Sequence, residues 1–572
     1  MTDRFSTSFS RRHIIGATAS ALAVGVPHLH AAQAPVAQAA GSRGQTFFNV
    51  LEMGAVPDGK TKNTEVLQRA IDACAAAGGG TVYVPPGVYI TGALRLVSNL
   101  VLYLEAGSVI KGSPDVADYT LPPSEPGGRP RRSGLITAND AENISIIGRG
   151  AIDGNGPAFV DSSRVHHPRD FDPKYIRQKE AFLDPAIDTE GPHPPRSRPG
   201  NMIRLTNCRK VLFRDVTLQN SPSWNLHFVQ CDDVGVFGIT IHSLDSDRRV
   251  PNDDGIDISG CRNMRMTGCV IRTGDDCIAV FDADGLVVSD CVLEAKSSAI
   301  RVGYGAHNTD GNIRNCVFSN ITITGNRAIC VNVRGPHSVE NVQFSNIQIR
   351  TRLHTGHWWG KAEPIHISAA LAPGMEKLGR IRNIQFDNID AQCEHGVVIF
   401  GVEDSVIRKV GLRNVRLVMT GGPLHKAVGG NFDLRATRDP SIGLFEHDIS
   451  AVFARYVDGL DIANLEVEWQ GELPPYFTHA IQVENFRDLE ISGFRGRQAH
   501  TTANTAAIAL SKGQGVTIRD CRAAEGTATF LALNEVTGQR MFVNNDLAAA
   551  KELSSPQKTQ FLSAGNRMPG RR

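Results

Sequence analysis

Net charge is almost missing from this chain of 572 residues, in which 60 Lys and Arg stand against 59 Asp and Glu. That balance excludes the broad positive field that gathers nucleic acid or anionic membranes, so an acidic ligand would have to be held by local cations. Aromatic residues are few, at 6%, which makes any place where they gather worth noting. No C-x-x-C pair occurs, and this removes the common zinc frameworks. The eleven cysteines are odd in number, so at least one stands outside any intrachain disulfide. Their spacing points to another use. Cys208 and Cys231, Cys269 and Cys291, and Cys291 and Cys316 recur at a nearly constant interval, as a ladder of small core side chains would. Helical periodicity is nearly absent too; residues 64–77 are the exception, with apolar side chains at Val66, Leu67, Ala70, Ile71, Cys74 and Ala77.

What is present begins at the N-terminus. Arg11 and Arg12 open a short apolar stretch, Ile14 to Val26, too short to span a bilayer as an anchor. Ala32-Gln33-Ala34 follows as a small-residue cleavage site, with Ala37-Gln38-Ala39 as a second choice. The paired arginines fit the twin-arginine route, which predicts a periplasmic or secreted protein; the plainer alternative is an untidy leader. Residues 1–40 are set aside on this reading, and no later segment is apolar enough to cross a membrane.

The 64–77 helix ends at Gly78-Gly79-Gly80 and precedes a long series of short apolar strands, so it is placed to cap the open end of a stack. The strands include Lys210 to Val216, Val234 to Ile241, Asn263 to Val270, Val342 to Ile347 and Ile384 to Ile389, mostly 22–30 residues apart. Asn320, Asn346, Asn388, Asn414 and Asn464 hold one place after their strands, where stacked Asn side chains can bond the backbone at bends. Repeats of this length without regular helices predict an all-β, right-handed parallel β-helix; a β-propeller would need longer units. The expected domains are the leader at 1–40, the β-helix at 41–545 and a polar, loose tail at 546–572. Residues 122–200 and 351–366 read as excursions from the stack.

Two acidic clusters lie 22 residues apart, Asn252-Asp253-Asp254-Gly255-Ile256-Asp257 and Gly274-Asp275-Asp276-Cys277. That separation is about one repeat, so the clusters are expected on neighbouring rungs, ~4.8 Å apart. Paired carboxylates flanking a scissile bond are what glycoside hydrolysis requires. Adjacent side chains on a strand face opposite ways, so Asp275 and Asp276 share a cleft only if the backbone bends, which Gly274 permits. The plainer alternative is that these acids cap turns or bind calcium. Asp257 is expected to turn inward in a structural role.

Together with Phe48-Asn49-Val50, Gly54-Ala55-Val56-Pro57-Asp58-Gly59, Gly78 to Tyr89 and Ser221-Pro222-Ser223-Trp224, these motifs resemble polygalacturonase-like proteins of glycoside hydrolase family 28. The resemblance covers most of residues 47–350. It implies that Asp254 takes the place of the family's first catalytic carboxylate. Asp275 would then be the general acid, with Asp254 and Asp276 activating water in one inverting displacement. One carboxyl must then stay protonated, and neighbouring like charges raise a pKa. Two motifs depart from the family pattern. Its Gly-His-Gly falls at Ser297-Ser298-Ala299, so Ser298 stands where a His helps position the acid. Its Arg-Ile-Lys falls within Ala328 to Arg334, with neither cation in place, so the grip on a galacturonate carboxylate is not carried over.

Candidate substitutes are Arg301, expected to face out beside the acids and to bind a sugar carboxylate or to brace the aspartates, and Tyr304, which could stack on a ring. Asn252 and Ser298 join the substrate-binding candidates, as do His357, Trp358 and Lys361 from the 351–366 insertion; that insertion could instead be a packed cover. His354 and His357 are three apart, but the Gly between them argues against a helical metal pair. No cofactor and no metal are expected. The predicted partner is a polysaccharide or oligosaccharide, with no nucleic acid or membrane, and the chain is expected to be a monomer. The leading expectation is hydrolysis of a pectin-type or related uronic-acid polysaccharide. A calcium-dependent lyase with Arg301 as base and a non-catalytic glycan-binding protein are the competitors.

Overall fold

The structure, a computed structural model, describes residues 46–570 apart from 122–130, 164, 166–169, 185, 187–189, 244–248, 306–310, 356–357, 501–504 and 555–561. The leader and His357 lie outside the described residues.

Parallel strands stack in one continuous sheet, each pairing with its counterpart one turn on. The register is the same from rung to rung. Val82, Leu102, Ile146, Phe213, Val236, Met266, Val288, Phe318, Phe344, Phe386 and Leu412 face one another in sequence, and all are buried. Apolar residues recurring at one place in each repeat thereby become a single core column. Where the column is Phe, the rings stack at 5.0 and 4.9 Å. This is the expected parallel β-helix.

The bends between strands need a left-handed residue, which Asn tolerates better than most. Asn320, Asn346, Asn388, Asn414 and Asn464 all have φ between 53 and 57°. Their amides also bond along the stack, Asn346 to Asn320 at 3.2 Å, Asn388 to Asn346 at 2.9 Å and Asn464 to Asn414 at 3.0 Å. All eleven cysteines are buried free thiols, as the ladder reading requires.

Helix Thr64–Ala76 buries Leu67, Ala70, Ile71 and Cys74 and packs on the first strands, closing that end. At the other end the stack continues past 545. Leu562–Ala564 pairs with Met541–Val543, and Asp546 bridges to Arg522 and Arg567. The polar composition that suggested a loose tail belongs to the last rung among the described residues, where Leu562 is 65% exposed.

The two excursions pack on each other. Ile176 and Phe182 from the first join Leu353 and Ala362 from the second, with Val428 and Leu444, in a small separate core. Arg177 fixes the first to the solenoid, its N–H donating to Asn431 at 2.8 Å and its guanidinium to Asp448 at 2.7 Å. Together they wall one side of the site.

Candidate active site

Four strands carry the site: Leu226–Val229, Ile256–Ser259, Ile278–Val280 and Val292–Tyr304. Leu226, Ile256, Ile278 and Ile300 form the inward column; His227, Asp257, Ala279 and Arg301 form the outward one. The acids lie in the turns just before two of these strands. Gly255 N–H donates to the Asp276 carbonyl at 2.8 Å, so the two acidic turns stack directly. A Cβ on Gly255 would stand 2.5 Å from the Cys277 carbonyl oxygen, which is why glycine is needed there. Asn225 holds the upper turn, its backbone N–H and side-chain amide both donating to the Asp254 carbonyl. Residues 274–277 form a bend between strands, and this breaks the alternation that would have sent Asp275 and Asp276 apart.

Asp254, Asp275 and Asp276 line one cavity of about 320 Å³. Each offers an oxygen within 4.8 Å of the others', so the convergence expected from the spacing is realised. A cluster this tight would also suit a cation, but Arg301 already supplies positive charge. Its Nε donates to Asp276 Oδ2 in a short bond, and its Nη2 lies 3.8 Å from Asp254 Oδ2. The guanidinium lies over Phe281 at 4.7 Å and Tyr304 at 5.5 Å. Asp276 Oδ1 accepts the Ser298 backbone N–H at 3.0 Å.

The protonation pattern follows from burial and crowding. Burial and the charges of Asp276 and Asp253 push Asp275 up to about 7. Burial, then Asp275, Asp257 and Asp276, hold Asp254 well above the usual carboxylate range. Asp254 and Asp276 are buried, whereas Asp275 is half-exposed to the cavity. A half-open carboxyl that keeps its proton near neutrality can donate to a leaving oxygen, and the oxygens of two aspartates braced by an arginine can hold water.

Several expectations need correction. Asp257 does not turn into the core, because Ile256 and Ile258 do; it shares the outward column with Arg301, sealed from solvent, with neither side-chain oxygen hydrogen-bonded. Lys361 is not in the cavity. It is buried over the Phe182 ring at 5.0 Å, where burial pulls it down to about 8. Ser298 contributes its backbone rather than its hydroxyl, while Ser297 faces the cavity. Arg301 lines the cavity, but its guanidinium is shared by two carboxylates and two ring faces, so it braces the acids. His354 stands beside Glu190, Nδ1 to Oε2 at 3.3 Å, away from the lining residues.

Asn252, Tyr304 and Trp358 line the cavity as expected. Asn252 accepts from Arg198 Nη2 at 3.0 Å, and Trp358 Nε1 donates to the Glu190 carbonyl at 2.8 Å. Sequence reasoning left out Trp224, Phe281 and Asp170. Trp224 stacks on Phe281 at 5.6 Å, and Tyr304 faces Trp359 at 5.9 Å, giving the cavity aromatic walls. Trp224 had a signal in its place one rung before the first acidic turn. Asp170 had none; the excursion brings it in, held by Trp359 Nε1 and Arg435 Nη1, each at 3.0 Å.

The pattern of glycosyl hydrolases family 28 matches residues 188–422, which include both acidic turns. Residues 188–422, about two fifths of the chain, thus carry the pattern of that family. Residues 47–131 match a second pattern, rhamnogalacturonase A/epimerase, pectate lyase-like. Among curated relatives, this chain is 32% identical over 243 residues to a probable polygalacturonase of Vitis vinifera, covering 41% of this chain and 43% of that one. It is 30% identical over 256 residues to an exo-poly-alpha-D-galacturonosidase of Dickeya chrysanthemi, covering 40% and 41%. The chain thus spans about two fifths of the length of these two relatives. A family 28 exopolygalacturonase from Yersinia enterocolitica is similar in structure at 18% identity and a TM-score of 0.45, covering 90% of this chain and 79% of that one.

Proposed function

We propose that this chain hydrolyses a glycosidic bond in a pectin-type or related uronic-acid-containing polysaccharide. Asp275 donates the proton to the leaving oxygen, and Asp254 with Asp276 activates the attacking water. The observation that carries this reading is a carboxyl pushed up to about 7 and half-open to an aromatic-walled cavity, beside two buried aspartates braced by one arginine. In a two-carboxylate inverting site the groups stand about 6.5–9.5 Å apart to admit water. Here three carboxyls offer oxygens within 4.8 Å of one another, closer than such a pair, and the single inverting displacement is what the resemblance to family 28 implies. The names of the relatives support the substrate class, and the aromatic walls suit sugar rings.

An eliminative reaction with Arg301 as base finds less support. A base must be uncharged, and Asp276 and Asp254 hold the Arg301 proton in place. The paired arginines of the leader support a substrate outside the cytoplasm.

Asp275→Asn should lower turnover by about 10²–10⁴-fold, the contribution of a general acid, while leaving the fold intact. Product mass separates the chemistries, since hydrolysis adds water and elimination leaves an unsaturated end. Near-normal turnover in Asp275→Asn would end the acid assignment; an unsaturated product would end the hydrolytic one.

A further inference from the structure

The turn that presents Asp275 is held from behind by a carboxylate that the reaction does not use. Asp253 is 1% exposed. Its Oδ2 accepts the Gly274 N–H at 2.9 Å and its Oδ1 accepts the Asp275 N–H at 2.8 Å. Bonds from one carboxylate to two consecutive amides fix the turn as a unit, and charge-assisted bonds are the stronger kind. Trp358 closes the other side. A Cβ on Gly274 would stand 2.8 Å from its ring and 2.9 Å from Asp253 Oδ1. Trp358 is itself tied down, its carbonyl accepting from Arg435 Nη2 at 3.1 Å and its Nε1 donating to the Glu190 carbonyl at 2.8 Å. The turn is therefore gripped between a buried anion and a fixed indole. Ser298 gives its N–H to Asp276 rather than to Asp275.

We propose that Asp253 is the positioning residue of the general acid, clamping the 274–276 turn and setting a fixed negative charge beside the Asp275 side chain. This rests on Asp275 being the acid. The charged groups around the two are Asp276 on the same turn, Asp254 on the turn above, Asp257 on strand Ile256–Ser259, Arg301 and Lys296 from strand Val292–Tyr304, and Arg198 from the excursion. Burial pushes Asp253 up to about 6, against the pull of the two amides and Lys296, and its charge is one of those that push Asp275 up to about 7.

Asp253→Asn removes the charge and keeps an acceptor; Asp253→Ala removes both. Carboxyl ¹³C titration of aspartate-labelled protein, with the Asp275 signal identified by its loss in Asp275→Asn, should show the Asp275 midpoint moving to lower pH in Asp253→Asn. With polygalacturonate as substrate, the alkaline limb of kcat should move the same way while KM stays within about twofold. Asp253→Ala should lose a further ~10–100-fold in kcat, the scale of a displaced catalytic group. An unmoved Asp275 midpoint in folded Asp253→Asn overturns the proposal, even where turnover falls. If Asp253→Ala does not fold, the Asn variant decides alone. Full activity in Asp275→Asn would instead remove the acid assignment, a failure that the titration tells apart.

Discussion

Asp275 and Asp253 hold their protons to about 7 and about 6 in the folded chain, above the roughly 3.9 of an unfolded aspartate. Each binds its proton more tightly when folded. Their contribution to stability is therefore complete below about pH 4 and is lost as pH rises through the folded values. Melting temperature at fixed ionic strength should fall between about pH 5 and pH 8, and the fall should shrink in Asp275→Asn. Equal slopes in the two proteins would contradict the raised value for Asp275. On the proposed role the same proton serves the reaction, so activity should decline on the alkaline side through about 7. The acid-side limb belongs to the cluster as a whole rather than to Asp254 alone. At this scale the acids were readable because their spacing equals the repeat and a glycine precedes the pair. Lys361 and Asp170 were not. Their places depend on how two long loops fold over each other, and no short-range pattern records that.

The stacked turns are the element on which convergence depends. Gly255 lies where any side chain would strike the Cys277 carbonyl and the Ile271 side chain. Gly255→Ala should cost about 1–3 kcal/mol by overpacking, and it should lower turnover by pushing the two acidic turns apart. Urea denaturation paired with kinetics checks this, and an active, equally stable variant would show that the turns can separate without harm. The strands were legible as elements because each repeats one apolar column, and the capping helix because its period differs from everything after it. The polar last rung was not legible. Composition predicts what a segment prefers to bury, whereas pairing at the end of a stack needs only backbone partners.

For the whole molecule, the solenoid explains how a chain of this length needs no series of separate cores: each rung buries its surface against two neighbours. The free thiols fit that economy, filling the interior as small side chains. The proposed export belongs to this scale, since the twin-arginine route carries folded proteins. Arg11→Lys with Arg12→Lys should leave the protein in the cytoplasmic fraction with its leader attached, and unchanged delivery would remove that reading. Three of the four tryptophans, Trp224, Trp358 and Trp359, meet around one hollow, while Trp469 is tied to the Arg497 carbonyl elsewhere. The molecule thus carries a built-in optical gauge. Its ultraviolet emission is weighted toward the place where a carbohydrate would displace water, so occupancy can be followed by fluorescence without attaching a dye.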